Sequence, residues 1–311
     1  MELFPHDSNF NFMRARWVSL TLAAVLMFVA LAGLVFKPMN YALDFTGGTV
    51  TELTFQQPVE VEQVRQRLEA AGYHGAEART FGSDREIVVR LPLRKAGEKQ
   101  VSGIDVQQSA GTTGNAATLV RSDFVGPQIG KELAINGIYA ALFVVLGFLG
   151  YVWVRFEWKF AVAAIIATLH DTLIVAGWFA LSGHEFDLAV LAGILSVMGY
   201  SINDTIVVFD RVRENFRSVH KVSPSEILNR SVNQTLSRTI ITSFVALLTV
   251  LALYFYGGNS LRGMAESQII GIVIGTLSSI FVACPLLLWL GVTKQDLLPR
   301  AKEDPELARR P

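Results

Sequence analysis

The sequence predicts a polytopic α-helical membrane protein with six transmembrane helices and a small α+β domain inserted between the first two. Three observations predict it. Six stretches are apolar over about 20 residues, the length that crosses a bilayer. Every lysine and arginine falls outside them. A polar segment, residues 37–132, separates the first stretch from the second and is too long for a plain loop.

The first stretch, 17–36, follows Arg14 and Arg16. A cleaved signal peptide is the alternative, since Ala30-Leu31-Ala32 fits a small-residue cleavage pattern. The apolar run continues through Phe36, which argues for an uncleaved anchor. Within 37–132, Thr49–Phe55 alternates like a strand. Val59–Ala71 places Val61, Val64 and Leu68 at helical spacing, and Gly72 follows as a stop. Ala76–Phe81 and Glu86–Leu91 read as strands joined at Gly82-Ser83-Asp84. Residues 98–110 are weakly helical, residues 111–116 form a loop, and Ala117–Val125 is a last strand. The order β-α-β-β-α-β is that of a ferredoxin-like unit. Its flanks, Asp44-Phe45-Thr46-Gly47-Gly48 and Phe124-Val125-Gly126-Pro127, read as sharp turns, with a hinge as the alternative.

The remaining spans are 133–154, 160–181, 187–209, 239–256 and 268–291, so 133–291 forms the rest of the bundle. Arg155, Lys159, Arg211, Arg213, Arg217, Lys221, Arg230 and Arg238 lie on one side, with Lys294, Arg300, Lys302, Arg309 and Arg310 of the tail 292–311. The opposite short loops carry only Arg262. By the positive-inside rule both termini are cytoplasmic and 37–132 is periplasmic. Loop 210–238 then lies in the cytoplasm. Within it, Ser223 is an N-cap, Pro224 takes the first helical position, and Leu228, Val232 and Leu236 form one apolar stripe. That pattern predicts an amphipathic helix lying at the membrane interface.

Composition narrows function. The chain has 311 residues, 51% of them hydrophobic, and a net charge of zero, which removes the basic footprint of a nucleic-acid binder. Its single cysteine, Cys284, has no partner for a disulfide or a cysteine-based cluster. The five histidines show no ligand spacing. With no metal, nucleotide-binding or nucleophile motif, neither an enzyme nor a cofactor is expected.

Asp204 is the residue that points to function. It lies in Gly199-Tyr200-Ser201-Ile202-Asn203-Asp204, inside a spanning stretch. A carboxylate at the centre of a spanning helix costs about 2.5–3.5 kcal/mol on insertion scales, and such acids mark transport or proton sites. The alternative is a plain interhelical hydrogen-bond acceptor. Tyr200, Ser201, Val207 and Val208 share its helix face. Desolvation favours the neutral form of a carboxyl and a nearby cation favours the charged form, so a balance of the two suits proton uptake and release. Asp171 is a second intramembrane acid, suited equally to a proton path or to holding helices together. Gly271, Gly275 and Ser279 form a small-residue stripe for close packing, against this chain, a partner or lipid.

Several motifs, in order, resemble the SecF family: Leu43-Asp44-Phe45-Thr46-Gly47-Gly48-Thr49, Phe124-Val125-Gly126-Pro127, Arg155-Phe156-Glu157-Trp158, His170-Asp171, the Asp204 motif, Phe209-Asp210-Arg211-Val212-Arg213-Glu214-Asn215-Phe216 and Gln234-Thr235-Leu236-Ser237-Arg238-Thr239. The resemblance covers residues from about 10 to 291. It implies half of a resistance-nodulation-division (RND) transporter fold, with SecD supplying the other half. It also implies work beside the SecYEG channel on translocating preproteins, with YajC and YidC as further partners and the proton-motive force as the energy source. It implies a bacterial inner-membrane location and coupling at Asp204 and Arg238. Geometry permits their pairing: Asp204 lies about 7–8 Å inside Phe209, within reach of a snorkelling arginine. An ordinary positive-inside role is the alternative for Arg238. An RND-type exporter of small solutes is the competing function, although one six-span unit lacks the doubled length of such exporters.

Overall fold

The structure, a computed structural model, describes residues 10–93, 101–219 and 222–297. Lys221, the tail beyond 297 and the first residues of the weakly helical 98–110 stretch lie outside the described residues. The chain divides into two units, one of Asn40–Leu142 with Glu185–Leu188, the other of the described residues up to Met39, Phe143–His184 and those from Ala189 on.

The first unit holds the α+β domain. A single turn, α2 (Leu43–Thr46), precedes β1 (Gly48–Phe55), α3 (Val61–Ala70), β2 (Glu77–Phe81), β3 (Ser83–Leu91), α4 (Gly103–Ala110) and β4 (Ala117–Val125). The strands pair antiparallel in the order β2-β3-β1-β4, the split arrangement expected from β-α-β-β-α-β. Alternate residues of β1 point inward, and Leu53 and Phe55 are packed with Ile87, Val89 and Leu91 of β3. Val64 and Leu68 of α3 and Val106 of α4 close that core. Each such side chain stabilises the domain by about 1.5–3 kcal/mol. The hairpin is tighter than the sequence suggests: β3 starts at Ser83, and Gly82 alone makes the turn at φ 79°. The weakly periodic α4 owes its start to a capping box in which Ser102 and Asp105 each satisfy the other's backbone N–H.

The second unit is the helical bundle. Among the described residues, six helices are long and apolar enough to cross a membrane. They are α1 (Arg16–Phe36), α5 (Pro127–Arg155), α6 (Trp158–Ser182), α7 (Leu188–Ser218), α8 (Pro224–Tyr256) and a last one that begins with α9 (Asn259–Ser278). That last helix passes through a π turn, Ser279–Ala283, into α10 (Cys284–Trp289). Pro285 explains the interruption, because it has no N–H to donate and its ring crowds the carbonyl four residues back, inside the π turn.

Residues 210–238 differ from the expectation of a loop bearing a separate interfacial helix. Helix α7 runs on to Ser218, and α8 begins at Pro224 and continues unbroken to Tyr256. The Ser223 cap and Pro224 start form as the sequence indicates. The stripe of Leu228, Val232 and Leu236 faces protein, packed in one core with Phe209, Val212 and Phe216 of α7. Spacing identifies an apolar face but not what covers it. Asn229 and Asn233 on the same helix accept from the backbone N–H of Met13 and Phe10, so the segment before α1 is clipped to α8.

Small residues set the helix spacings. A Cβ on Gly177 of α6 would lie 2.5 Å from Ala30 Cβ of α1. Between α7 and α9, a Cβ on Gly193 would meet Ser267 Oγ at 2.1 Å, and one on Gly271 would meet Val197 Cγ2 at 2.1 Å. The stripe of Gly271 and Gly275 therefore packs within this chain, against Val197 and Ser201.

Candidate functional site

Helix α7 carries the residues of interest, and its close approach to α9 follows from glycine on both sides of the seam. Asp204 is 3% exposed. Its Oδ2 is buried with no hydrogen-bond partner among the described residues. One turn earlier, Tyr200 donates from its hydroxyl to Ser243 Oγ of α8 at 2.8 Å. Thr276 Oγ1 of α9 lies 2.7 Å from the same Ser243 Oγ and 2.6 Å from Ile272 O. A hydroxyl has one proton, so Thr276 serves one of these acceptors at a time. The Ser243 hydroxyl itself donates to Thr239 O at 2.7 Å. Thr239 Oγ1, also buried, has no partner among the described residues. A row of hydroxyls thus joins α7, α8 and α9 on the turn next to Asp204.

Asp171 sits in a different environment. It is fully buried on α6. Its Oδ1 lies 2.9 Å from His170 Nδ1, and its Oδ2 accepts from Ser201 Oγ of α7 at 2.5 Å. Both oxygens are therefore engaged inside this chain, and the second bond ties α6 to α7.

Arg238 is not brought into contact with Asp204. Its side chain is exposed on α8 and makes no ion pair among the described residues. Reach along the helices permits pairing, as the sequence indicates, but Arg238 faces away from the packed interior here.

Two further motifs find each other at the basic end of the bundle. Arg155 donates to both oxygens of Asp210 at 2.7 and 2.6 Å, and Arg213 pairs with Glu157 at 2.8 Å. The two guanidinium groups lie 5.1 and 5.6 Å from the Phe156 ring, which packs edge-on to Phe209. Asn215 donates to Ser231 Oγ and Gln234 Oε1. The network locks the α5–α6 turn onto α7 and α7 onto α8. Opposite charges in Arg155-Phe156-Glu157 and Asp210-Arg211-Val212-Arg213 are the sequence signal for it, but charge alone does not choose partners.

Comparison with known proteins places these motifs. Residues 105–293 match the family Protein export membrane protein SecD/SecF, C-terminal, and residues 32–59 match the SecD/SecF GG motif. A protein translocase subunit SecF from Pseudomonas aeruginosa is 45% identical over 296 residues, covering 94% of this chain and 95% of the relative. The corresponding subunit from Escherichia coli O157:H7 is 41% identical over 297 residues, covering 94% and 92%. The crystal structure of SecDF, a translocon-associated membrane protein from Thermus thermophilus, aligns with a TM-score of 0.83 at 39% identity. That alignment takes in 93% of this chain but only 39% of the longer SecDF chain.

Proposed function

The chain belongs to the SecF family of protein translocase subunits, and from that premise we propose that it couples the proton-motive force to preprotein export, with Asp204 as the proton carrier. The observation that carries this is the contrast between two buried acids. Asp171 has both oxygens engaged by His170 and Ser201, whereas Asp204 keeps one buried oxygen without a partner among the described residues. A carboxyl held by fixed donors is suited to joining helices. One with an open oxygen beside a row of rotatable hydroxyls is suited to exchanging a proton. Asp171 then positions α7 through Ser201, and Arg238 acts as the cation that approaches Asp204 during the cycle.

SecD is the proposed partner, since this chain aligns with only 39% of the longer SecDF chain. SecYEG, YajC and YidC complete the proposed assembly in the bacterial inner membrane. The lysine and arginine distribution supports cytoplasmic termini and a periplasmic domain. No observation favours a small-solute exporter.

The test is export of a preprotein into inverted vesicles, with and without a proton gradient. Asp204→Asn keeps size and hydrogen-bonding capacity but cannot titrate. The variant is expected to reach normal abundance and co-purify with SecD, yet lose the gradient-dependent part of export. Full gradient-dependent export at normal abundance removes Asp204 from the mechanism.

A further inference from the structure

Most hydroxyls near Asp204 give their proton to a carbonyl one turn back on their own helix. Thr205 donates to Ser201 O, Ser243 to Thr239 O and Ser279 to Thr276 O, at 3.1, 2.7 and 3.0 Å. Two hydroxyls do not. Ser278 on α9 and Thr239 on α8 are 2% and 1% exposed, and neither Oγ has a hydrogen-bond partner among the described residues. An unpaired buried polar atom is costly, so folded proteins pair nearly all of them, with protein or with bound water.

The helix register brings both hydroxyls to the level of Asp204. Close contacts along the α7–α9 seam join Gly193 to Ser267, Val197 to Gly271 and Ser201 to Gly275, advancing four residues at a time on both helices. Three residues further on, Asp204 and Ser278 come level. Helix α8 runs opposite to α9, and its Ser243 is bonded to Thr276 at 2.7 Å. The turn from Ser243 back to Thr239 therefore follows the step from Thr276 to Ser278, and Thr239 lies within a turn of Ser278. Three helices thus carry one unpaired buried oxygen each near one level: Asp204 Oδ2, Ser278 Oγ and Thr239 Oγ1. None is bonded to another, so each gap is wider than a direct hydrogen bond and suits a bridging molecule. The π turn of the last helix starts at the next residue, Ser279, and such turns recur at functional sites.

We propose that Asp204 Oδ2, Ser278 Oγ and Thr239 Oγ1 form a binding site for a water molecule that loads Asp204 with its proton. The proposal rests on the reading of Asp204 as the proton carrier. Water fits the donor set: it accepts from the two uncommitted hydroxyls and donates to the carboxylate. A metal cation in the same place would leave both hydroxyl protons without an acceptor. An excess proton reaching the water leaves by breaking one O–H bond and forming another on Oδ2. The carboxylate becomes neutral and the water is regenerated. Ser278 and Thr239 are then positioning residues, since they act through the water.

The experiment compares the full chain, reconstituted in lipid, with Ser278→Ala, Thr239→Val, Ser279→Ala and Asp204→Asn. Acid-minus-alkaline infrared difference spectra are recorded in ordinary and in ¹⁸O water. The unsubstituted chain is expected to show water O–H bands that shift with ¹⁸O. Ser278→Ala and Thr239→Val are expected to lose them, and each to slow gradient-dependent export about tenfold, the equivalent of one lost hydrogen bond. Ser279→Ala is expected to keep both, because its proton is already committed to Thr276 O. Melting separates a water site from a bare hydroxyl: with water bound, Ser278→Ala melts no higher than the unsubstituted chain. A rise of about 2–4 °C would mean that an unpaired group had been removed, and overturns the proposal. So does the absence of ¹⁸O-sensitive bands, unimpaired export by Ser278→Ala, or an equal loss in Ser279→Ala. Stabilisation by sodium over choline, with loss of the bands, would put a cation in the site and overturn the assignment to water. Full gradient-dependent export by Asp204→Asn overturns the carrier reading, whereas the ¹⁸O bands test the water site itself, so the two failures are told apart.

Discussion

Asp171 and Asp204 stand on neighbouring helices and differ in what their oxygens touch. Ser201→Ala would leave one buried oxygen of Asp171 unsatisfied, a loss of about 1–3 kcal/mol. The purified variant is expected to melt at lower temperature while Ser201→Thr retains most of the stability. Arg238→Met is expected to lose gradient-dependent export as Asp204→Asn does. Combining the two should add little, since residues serving one step give non-additive losses. Outside the membrane, Asp296 offers a pH test. Burial pushes its carboxyl up, but hydrogen bonds from Lys159 and Thr293 outweigh that and hold it below the usual range. A carboxyl lowered on folding stabilises the fold at pH values above its ordinary pKa of about 3.9 and loses that contribution as pH falls through the folded value. Limited proteolysis near residues 293–297 is therefore expected to accelerate at strongly acid pH. Asp296→Asn should show the fast cleavage already at neutral pH.

At the scale of elements, the α7–α9 seam is set by glycine. Gly271→Ala would place a methyl carbon 2.1 Å from Val197 Cγ2, and overpacking of this kind costs about 1–3 kcal/mol. Thermal unfolding of the isolated chain in detergent should show that loss. Gly147→Ala and Gly150→Ala on α5 meet nothing within 4 Å and should leave the melting temperature unchanged or slightly raised. Equal losses at all three positions would mean that backbone flexibility, not close packing, is what these glycines provide.

For the whole molecule, the charge distribution makes a topological prediction. A cysteine in place of Asp84, exposed at the β2–β3 hairpin, is expected to react with a membrane-impermeant thiol reagent added outside spheroplasts. A cysteine in place of Ser218, exposed at the end of α7, is expected to react only after permeabilisation. The reverse pattern would invert the orientation and with it the side from which Asp204, as the proposed proton carrier, would be loaded.

Apolar length, strand alternation and cap residues are local properties, so the six spans, the βαββαβ order and the Ser223-Pro224 start are legible along the chain. The capping box at Ser102 and Asp105 likewise marks α4, where periodicity is weak. Asp204 stands out because an acid in a span is costly wherever the helix packs. What surrounds each residue depends on elements far away in sequence. The continuation of α7 and α8 beyond their apolar stretches required Phe209, Val212 and Phe216 to cover Leu228 and Val232. The outward turn of Arg238 and the pairing of Asp171 with Ser201 were decided by helix rotation. So was the capping of Leu188 by Asp44 across 144 residues. A hydrogen bond needs a particular partner within about 3 Å, and only the packed tertiary structure supplies one.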